Sequence, residues 1–234
     1  MNDTLKTWVQ QSTNIVFFGG AGVSTESGIP DFRSADGLYA QKYAYPPEVM
    51  LSRSFFDHKP EVFFEFYRDK LLHEQVKPNT AHLALARLEE SGKLRAVITQ
   101  NIDGLHQMAG SKNVVELHGS VHRNFCMKCK KAHGVEEIKT SGIPLCLCGG
   151  TIKPDVVLFE EPLRNELMDD AVRYISQAEV LIIGGTSLSV YPAAGLVDYY
   201  RGDKLVLINN GETSRDVMAN LLIRGSIGAA LGGL

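Results

Sequence analysis

Five short apolar runs, each closing on glycine or a polar side chain, restrict this 234-residue chain to few architectures. They are Asn14-Ile15-Val16-Phe17-Phe18 ahead of Gly19-Gly20, Leu94-Arg95-Ala96-Val97-Ile98 ahead of Thr99-Gln100-Asn101-Ile102-Asp103, Asn113-Val114-Val115-Glu116-Leu117 ahead of His118, Val180-Leu181-Ile182-Ile183 ahead of Gly184-Gly185-Thr186-Ser187, and Lys204-Leu205-Val206-Leu207-Ile208 ahead of Asn209. Near-continuous apolar runs of this length suit strands buried on both faces, as parallel sheets require. Helical spacing fills the intervals, with Leu5, Trp8 and Val9 in 4–12, Leu83, Leu85 and Leu88 after Pro78-Asn79, and a further helix over about 164–177. Alternating strand and helix defines an α/β fold around a parallel sheet. Ligands of such sheets bind beyond the carboxyl ends of the strands. Polar ends on every run therefore predict one extended cleft along that edge, sized for a dinucleotide.

Two of those ends carry the densest chemistry. Gly19-Gly20-Ala21-Gly22-Val23-Ser24 follows the first run, and strand, glycines, helix is the arrangement that lets a backbone approach pyrophosphate. The third glycine of that pattern is missing, since position 25 is Thr, and a plain tight turn accounts for the loop as well. Gln100-Asn101-Ile102-Asp103 holds an amide donor, an amide acceptor and a carboxylate together; the competing reading is a polar turn with Asn101 or Asp103 as a helix cap. Phe32 could shield a reactive centre and Arg33 could face phosphate or carboxylate, or the pair could plug and cap the core. His118 lies at a strand end, whereas His82 and His106 fall on helical or turn segments, so His118 is the better candidate base. Between 36 and 76, Phe55-Phe56, Phe63-Phe64 and Phe66-Tyr67 show helical patterning without strand alternation, which reads as an inserted helical module with a loop-like start at 39–46.

The cysteines sit in one window, Cys126-Met127-Lys128-Cys129 and, sixteen residues later, Cys146-Leu147-Cys148. Two close pairs at this separation read as a metal site. In an extended segment residues i and i+2 share a face, so the second pair can still reach one tetrahedral zinc. Four thiolates leave no open position, which makes the site structural. Unligated buried cysteines, or His122 or His133 in place of one ligand, are the alternatives. A formal charge of −3 gives no basic field, so neither nucleic acid nor an anionic membrane is expected as partner. No apolar run approaches the ~20 residues of a membrane span, and the N-terminus lacks a basic start and apolar core, which points to the cytoplasm.

Taken in order, Gly20-Ala21-Gly22-Val23-Ser24, Ser27-Gly28-Ile29-Pro30-Asp31-Phe32-Arg33, Thr99-Gln100-Asn101-Ile102-Asp103, His118-Gly119, the cysteine pairs, Gly185-Thr186-Ser187-Leu188 and Ile208-Asn209 resemble the sirtuins, NAD-dependent protein deacylases. The resemblance spans 15–228. It implies a Rossmann-like domain from 1–35, 77–120 and 154–234, and a small domain made of the helical module 36–76 and a zinc ribbon 121–153. It implies that NAD meets Gly20, Ala21, Thr25, Phe32, Arg33, Gln100, Ile102, Asp103, Gly185, Thr186, Ser187, Asn209 and Ile227. Asn101 would help hold the nicotinamide amide, His118 would be the general base, and Val157 and Phe159 would contact the acyl-lysine. The peptide would add as a strand between 157–161 and 188–192. The implied reaction is deacetylation of protein lysine, giving nicotinamide and O-acetyl-ADP-ribose, with one structural zinc.

Two positions bear on specificity. Glu160 stands where the family usually has glycine, and it implies negative charge beside the peptide groove and a preference for basic flanking residues. Succinyl- and malonyl-preferring sirtuins carry a Tyr-x-x-Arg pair, here Tyr67-Arg68-Asp69-Lys70. Lysine does not replace arginine at a bidentate carboxylate site, so uncharged acyl groups are expected.

Overall fold

The computed structural model describes residues 2–32, 34, 37–73 and 75–234. Its strands are β1 (Ile15–Gly19), β2 (Leu94–Thr99), β3 (Val114–Glu116), β4 (Gly119–Cys126), β5 (Ala132–His133), β6 (Ile152–Val156), β7 (Val180–Gly184), β8 (Leu205–Asn209) and β9 (Leu221–Arg224). Its α-helices are α1 (Asp3–Gln11), α2 (Pro47–Met50), α3 (Arg53–His58), α4 (Pro60–Leu71), α5 (Thr80–Glu90), α6 (Leu105–Met108), α7 (Glu136–Lys139), α8 (Asn165–Gln177) and α9 (Ile227–Leu231).

The predicted strands assemble into one sheet of order β3-β2-β1-β7-β8-β9, with every neighbouring pair parallel. Sequence reading misses β9. Leu221-Leu222-Ile223-Arg224 lies at the sheet edge with alternating exposure, so it lacks the continuous apolar run that marks its neighbours. The strand order reverses between β1 and β7, which opens a crevice at their carboxyl ends and fixes the ligand position of a Rossmann-like fold.

Alternate residues of each strand feed opposite faces. Ile15, Phe17, Val180, Ile182, Val206 and Ile208 pack with α1, α5 and α9 on one side. Val16, Phe18, Leu181, Ile183, Leu205 and Leu207 pack with α8 on the other. A third core is separate: Phe55, Phe56, Phe63, Phe64 and Tyr67 of α3 and α4 pack against Val121, Cys126, Ile138, Cys146 and Ile152. The helical module and the cysteine-bearing sheet β5-β4-β6 therefore share one interior.

Local chemistry ties these parts to the sheet edge. The Asn79 side chain accepts from the N–H groups of Ala81 and His82, and His82 Nδ1 accepts the Asn79 N–H in return, a capping box that starts α5. Asn79 Nδ2 also donates to Val23 O (2.8 Å) and Ser27 Oγ (3.0 Å), so the same cap anchors the glycine loop. After β3 the chain turns through His118 into β4. Gly119 has φ +81°, and a Cβ there would collide with Asp155 O, so only glycine lets β4 leave the parallel sheet and pair with β6 at this point.

Candidate active site

The loop after β1 corrects the sequence reading in one respect. In place of an α-helix it forms two 3-10 turns, Ala21–Val23 and Thr25–Ser27. An anion bound here meets turn N–H groups and small side chains, with no α-helix dipole behind them. The glycines serve the approach of a second turn: Gly20 N–H donates to Gly184 O (3.2 Å) and Gly22 N–H to Gly185 O (2.8 Å). A Cβ on Gly20 would meet Gly185 O and Thr186 Cβ at 2.9 Å, and one on Gly22 would meet Gly185 Cα at 2.8 Å. Thr25 Oγ1 closes the loop on Gly22 O (3.0 Å), and Ala21 is half-buried beside it.

The polar end of β2 faces this loop. Asn101, 8% exposed, donates from Nδ2 to Ser24 Oγ (3.0 Å), and Ser24 Oγ donates to Asp103 Oδ2 (2.7 Å). Asp103 Oδ1 accepts the Leu105 N–H (2.9 Å) at the start of α6, whose N-cap position is Gly104, so Asp103 is not itself the helix cap. Ser24, which joins Asn101 to Asp103, is the member of this network that sequence reasoning passes over. Its only signal is a place in the glycine loop, and the fold alone sets it opposite β2.

Gln100 links two further candidates. Its Nε2 donates to Thr186 Oγ1 (3.0 Å), and its carbonyl accepts from His118 Nδ1 (2.9 Å). A hydrogen on Nδ1 leaves Nε2 with the free lone pair. Burial lowers the His118 pKa below its usual value, and the Gln100 carbonyl opposes that only in part. His118 is therefore neutral at pH 7, with a proton-accepting nitrogen of fixed identity.

Thr186, 8% exposed, is braced by Asn209, whose Nδ2 donates to Thr186 O (3.3 Å). Ser187 is exposed and pairs with Ser189 (2.8 Å). Ile227 is 3% exposed, and its Cδ1 lies where a Cβ on Gly185 would sit 2.8 Å away, so it supports the glycine turn from within the core. Phe32 and Ile102 flank the third core, with Phe32 edge-on to Tyr39 at 5.9 Å. Arg33 lies outside the described residues. Val157 N–H donates to His118 O (2.9 Å), which sets this substrate candidate beside the base, and Phe159 is 40% exposed two residues on.

Away from the cleft, the four cysteine sulfurs lie within 4.8 Å of one another, with Cys126–Cys148 at 3.4 Å and Cys129–Cys146 at 3.7 Å. Zn–S bonds of 2.3 Å in a tetrahedron put sulfurs about 3.8 Å apart, so the donor set fits one zinc. The Cys129 N–H, 3.4 Å from Cys126 Sγ, pulls that thiol down to about 6, toward the thiolate a metal needs. Leu147 is 98% exposed between its two inward cysteines, as the i, i+2 argument requires. His122 is bonded to Asp103 O and His133 to Glu137, so neither joins the cluster.

The parallel sheet of dinucleotide-binding order and the four-cysteine cage beside it place the chain among Rossmann-like proteins that carry a cysteine ribbon. The Sir2 family model matches residues 20–192. An "NAD-dependent protein deacetylase" of Clostridium tetani is 58% identical over 98% of this chain and 95% of its own length. A solved Sir2 complex with p53 peptide and NAD+ is 40% identical, with TM-score 0.87, over 99% of this chain and 96% of that one. Another, holding deacetylated p53 peptide and 3'-O-acetyl ADP ribose, has TM-score 0.90 at 40% identity over 98% of this chain and 95% of that one. The chain belongs to the Sir2 family.

Proposed function

We infer that this protein is an NAD-dependent protein-lysine deacetylase that yields nicotinamide, free lysine and O-acetyl-ADP-ribose. The observation that carries the reading is His118, whose Nδ1 is tied to Gln100 O and whose Nε2 is left to accept a proton at the sheet edge. A binding module would not need a neutral base with a fixed tautomer. ADP-ribosyl transfer or NAD hydrolysis would use the same pocket, but Val157 bonded to the His118 carbonyl favours a peptide beside the base.

NAD, when bound, supplies an electrophilic ribose carbon as nicotinamide leaves and a ribose hydroxyl that takes the acyl group. The chain's residues bind and orient it. Asn101, Ile102 and Asp103 hold the nicotinamide amide, with Ser24 fixing Asn101 and Asp103 relative to each other. Gly20, Ala21, Thr25, Arg33, Gly185, Thr186, Ser187, Asn209 and Ile227 take the phosphates and adenosine, and Gln100 the nearer ribose. Phe32 and Ile102, on the apolar core, exclude water. His118 Nε2 takes the proton of the attacking hydroxyl. Val157 and Phe159 border the acyl-lysine. The cysteines hold zinc in a closed site that stabilises the ribbon.

The division into a Rossmann-like domain (1–35, 77–120, 154–234) and a small domain (36–76, 121–153) is part of this reading. The core shared by the helical module and the ribbon supports a small domain, but β4 begins at Gly119 and β6 runs to Val156 within the cysteine-bearing sheet, so the strands of the ribbon extend past the 120/121 and 153/154 boundaries. Tyr67 is 0% exposed, stacked on Phe63 at 5.7 Å, and Lys70 pairs with Asp69 (2.9 Å), so this pair suits no acyl carboxylate and acetyl is favoured. Among the described residues no helix is long and apolar enough to cross a membrane, and we place the enzyme in the cytoplasm, acting on acyl-lysine proteins and not on nucleic acid.

The test is mass spectrometry of an acetyl-lysine peptide with and without NAD. Loss of acetyl only with NAD, matched one for one by O-acetyl-ADP-ribose, is expected. Consumption of NAD while the peptide stays acetylated would transfer the reading to ADP-ribosylation or hydrolysis.

A further inference from the structure

Glu160 is tied into the fold through its side chain. Its carboxylate is taken up by α3, where Oε2 accepts the Ser54 N–H and Oε1 the Ser54 hydroxyl, both at 2.9 Å. Its backbone has φ +75°, a conformation that residues with a Cβ rarely adopt. The flanking residues are stitched down as well. Phe159 N–H donates to Leu51 O (3.0 Å), and Phe159 O accepts the Arg53 N–H (2.9 Å). Glu161 accepts the Leu158 N–H (2.9 Å), Lys153 Nζ (3.1 Å) and Arg53 Nη1 (3.1 Å). Leu158 O accepts the Glu161 N–H (3.0 Å). Among the described residues, the Glu160 N–H and C=O carry no such bond. A peptide strand along 157–161 thus has the Glu160 backbone to pair with, while Leu158 and Phe159 are already committed.

We propose that Glu160 is a positioning residue for the acyl-lysine peptide: its clamp on Ser54 locks its own left-handed backbone, which keeps Phe159 half-exposed in the groove and the Glu160 backbone available for pairing. A glycine reaches this conformation without strain but samples many others. A clamped glutamate is held in one, and such preorganisation acts on binding of the peptide more than on the chemical step. The clamp on neutral Ser54 donors leaves the Glu160 charge in place, so a preference for basic flanking residues stands beside it. The proposal rests on the assignment of Phe159 to the acyl-lysine site.

Steady-state kinetics on the full chain with an acetyl-lysine peptide test it, using E160A, E160G, E160Q, S54A and F159A. E160A is expected to raise peptide KM about tenfold, the worth of a charge-assisted hydrogen bond, with kcat and the KM for NAD unchanged. E160Q keeps a carbonyl for the Ser54 N–H and recovers most of the loss. S54A shifts peptide KM the same way by less, and its effect is not additive with E160A. E160G resembles E160A although it relieves the backbone. Wild-type peptide KM in E160A, or its restoration in E160G, overturns the clamp. If F159A raises peptide KM while E160A does not, the clamp alone fails; if F159A leaves it unchanged, the substrate-site assignment fails.

Discussion

His106 and His118 are both lowered by burial, yet the consequences differ because only one has a partner. His118 is pinned through Nδ1, which leaves Nε2 as its proton-accepting nitrogen. His106, 1% exposed, has neither ring nitrogen bonded among the described residues; it meets His82 edge-on at 4.7 Å and Phe17 at a tilt at 6.1 Å. Burial, with His82 adding to it, pushes the His106 pKa down to about 3. The folded pKa lies below the unfolded one, so the unfolded chain binds the extra proton and stability is lost as pH falls below 6.5. By pH 5 this group should cost about 2 kcal/mol. Denaturant titrations from pH 7 to 5 should show that fall, and H106F should reduce it while leaving the part carried by His82 and His118, which burial lowers as well; an unchanged slope in H106F would assign the loss elsewhere. At this scale the sequence was only partly legible. His118 stands out because it ends a strand, whereas Ser24 has no local mark, and the tie of Glu160 to Ser54 is not legible because the position of Ser54 depends on how the helical module docks.

Elements announced themselves by their apolar runs, and failures came where a run was short or half-exposed. β9 alternates along an edge, and after Gly20 the sequence leaves a helix and a plain turn both open because 3-10 and α starts look alike in sequence; the structure has two 3-10 turns. The cysteine ribbon was legible in full, since spacing alone bounds which thiols can share a tetrahedron. Its packing adds a consequence: Cys126 and Cys146 belong to the same core as Phe63 and Tyr67. Metal removal should therefore loosen the helical module as well as the ribbon. Even ~3 kcal/mol of lost metal-binding energy would lower Tm by about 6–12 °C. Calorimetry with and without a strong chelator, together with metal analysis, checks this. Protein that is metal-free as purified yet equally stable would refute a structural zinc. Glu161 gives a second handle on this layer. Burial works against its charge, but the Leu158 N–H, Lys153 and Arg53 outweigh it and hold its carboxyl below the usual range. Its contribution to stability is thus present above the unfolded carboxylate pKa and fades in acid.

For the whole molecule, three cores and one polar edge make a two-substrate machine. Two cores cover the faces of the parallel sheet, and the third joins the helical module to the ribbon. The chain crosses from sheet to ribbon at His118-Gly119, so His118 sits where the parallel sheet gives way to the ribbon. The central claim is that His118 acts after nicotinamide has left, by taking a ribose proton through Nε2. The most direct measurement follows exchange of labelled nicotinamide into NAD alongside O-acetyl-ADP-ribose formation, in wild type and H118A with an acetylated peptide. The account predicts that H118A retains exchange and loses product by at least about 100-fold. If H118A forms product at the wild-type rate, or loses exchange and product together with its fold intact, His118 is not the base described.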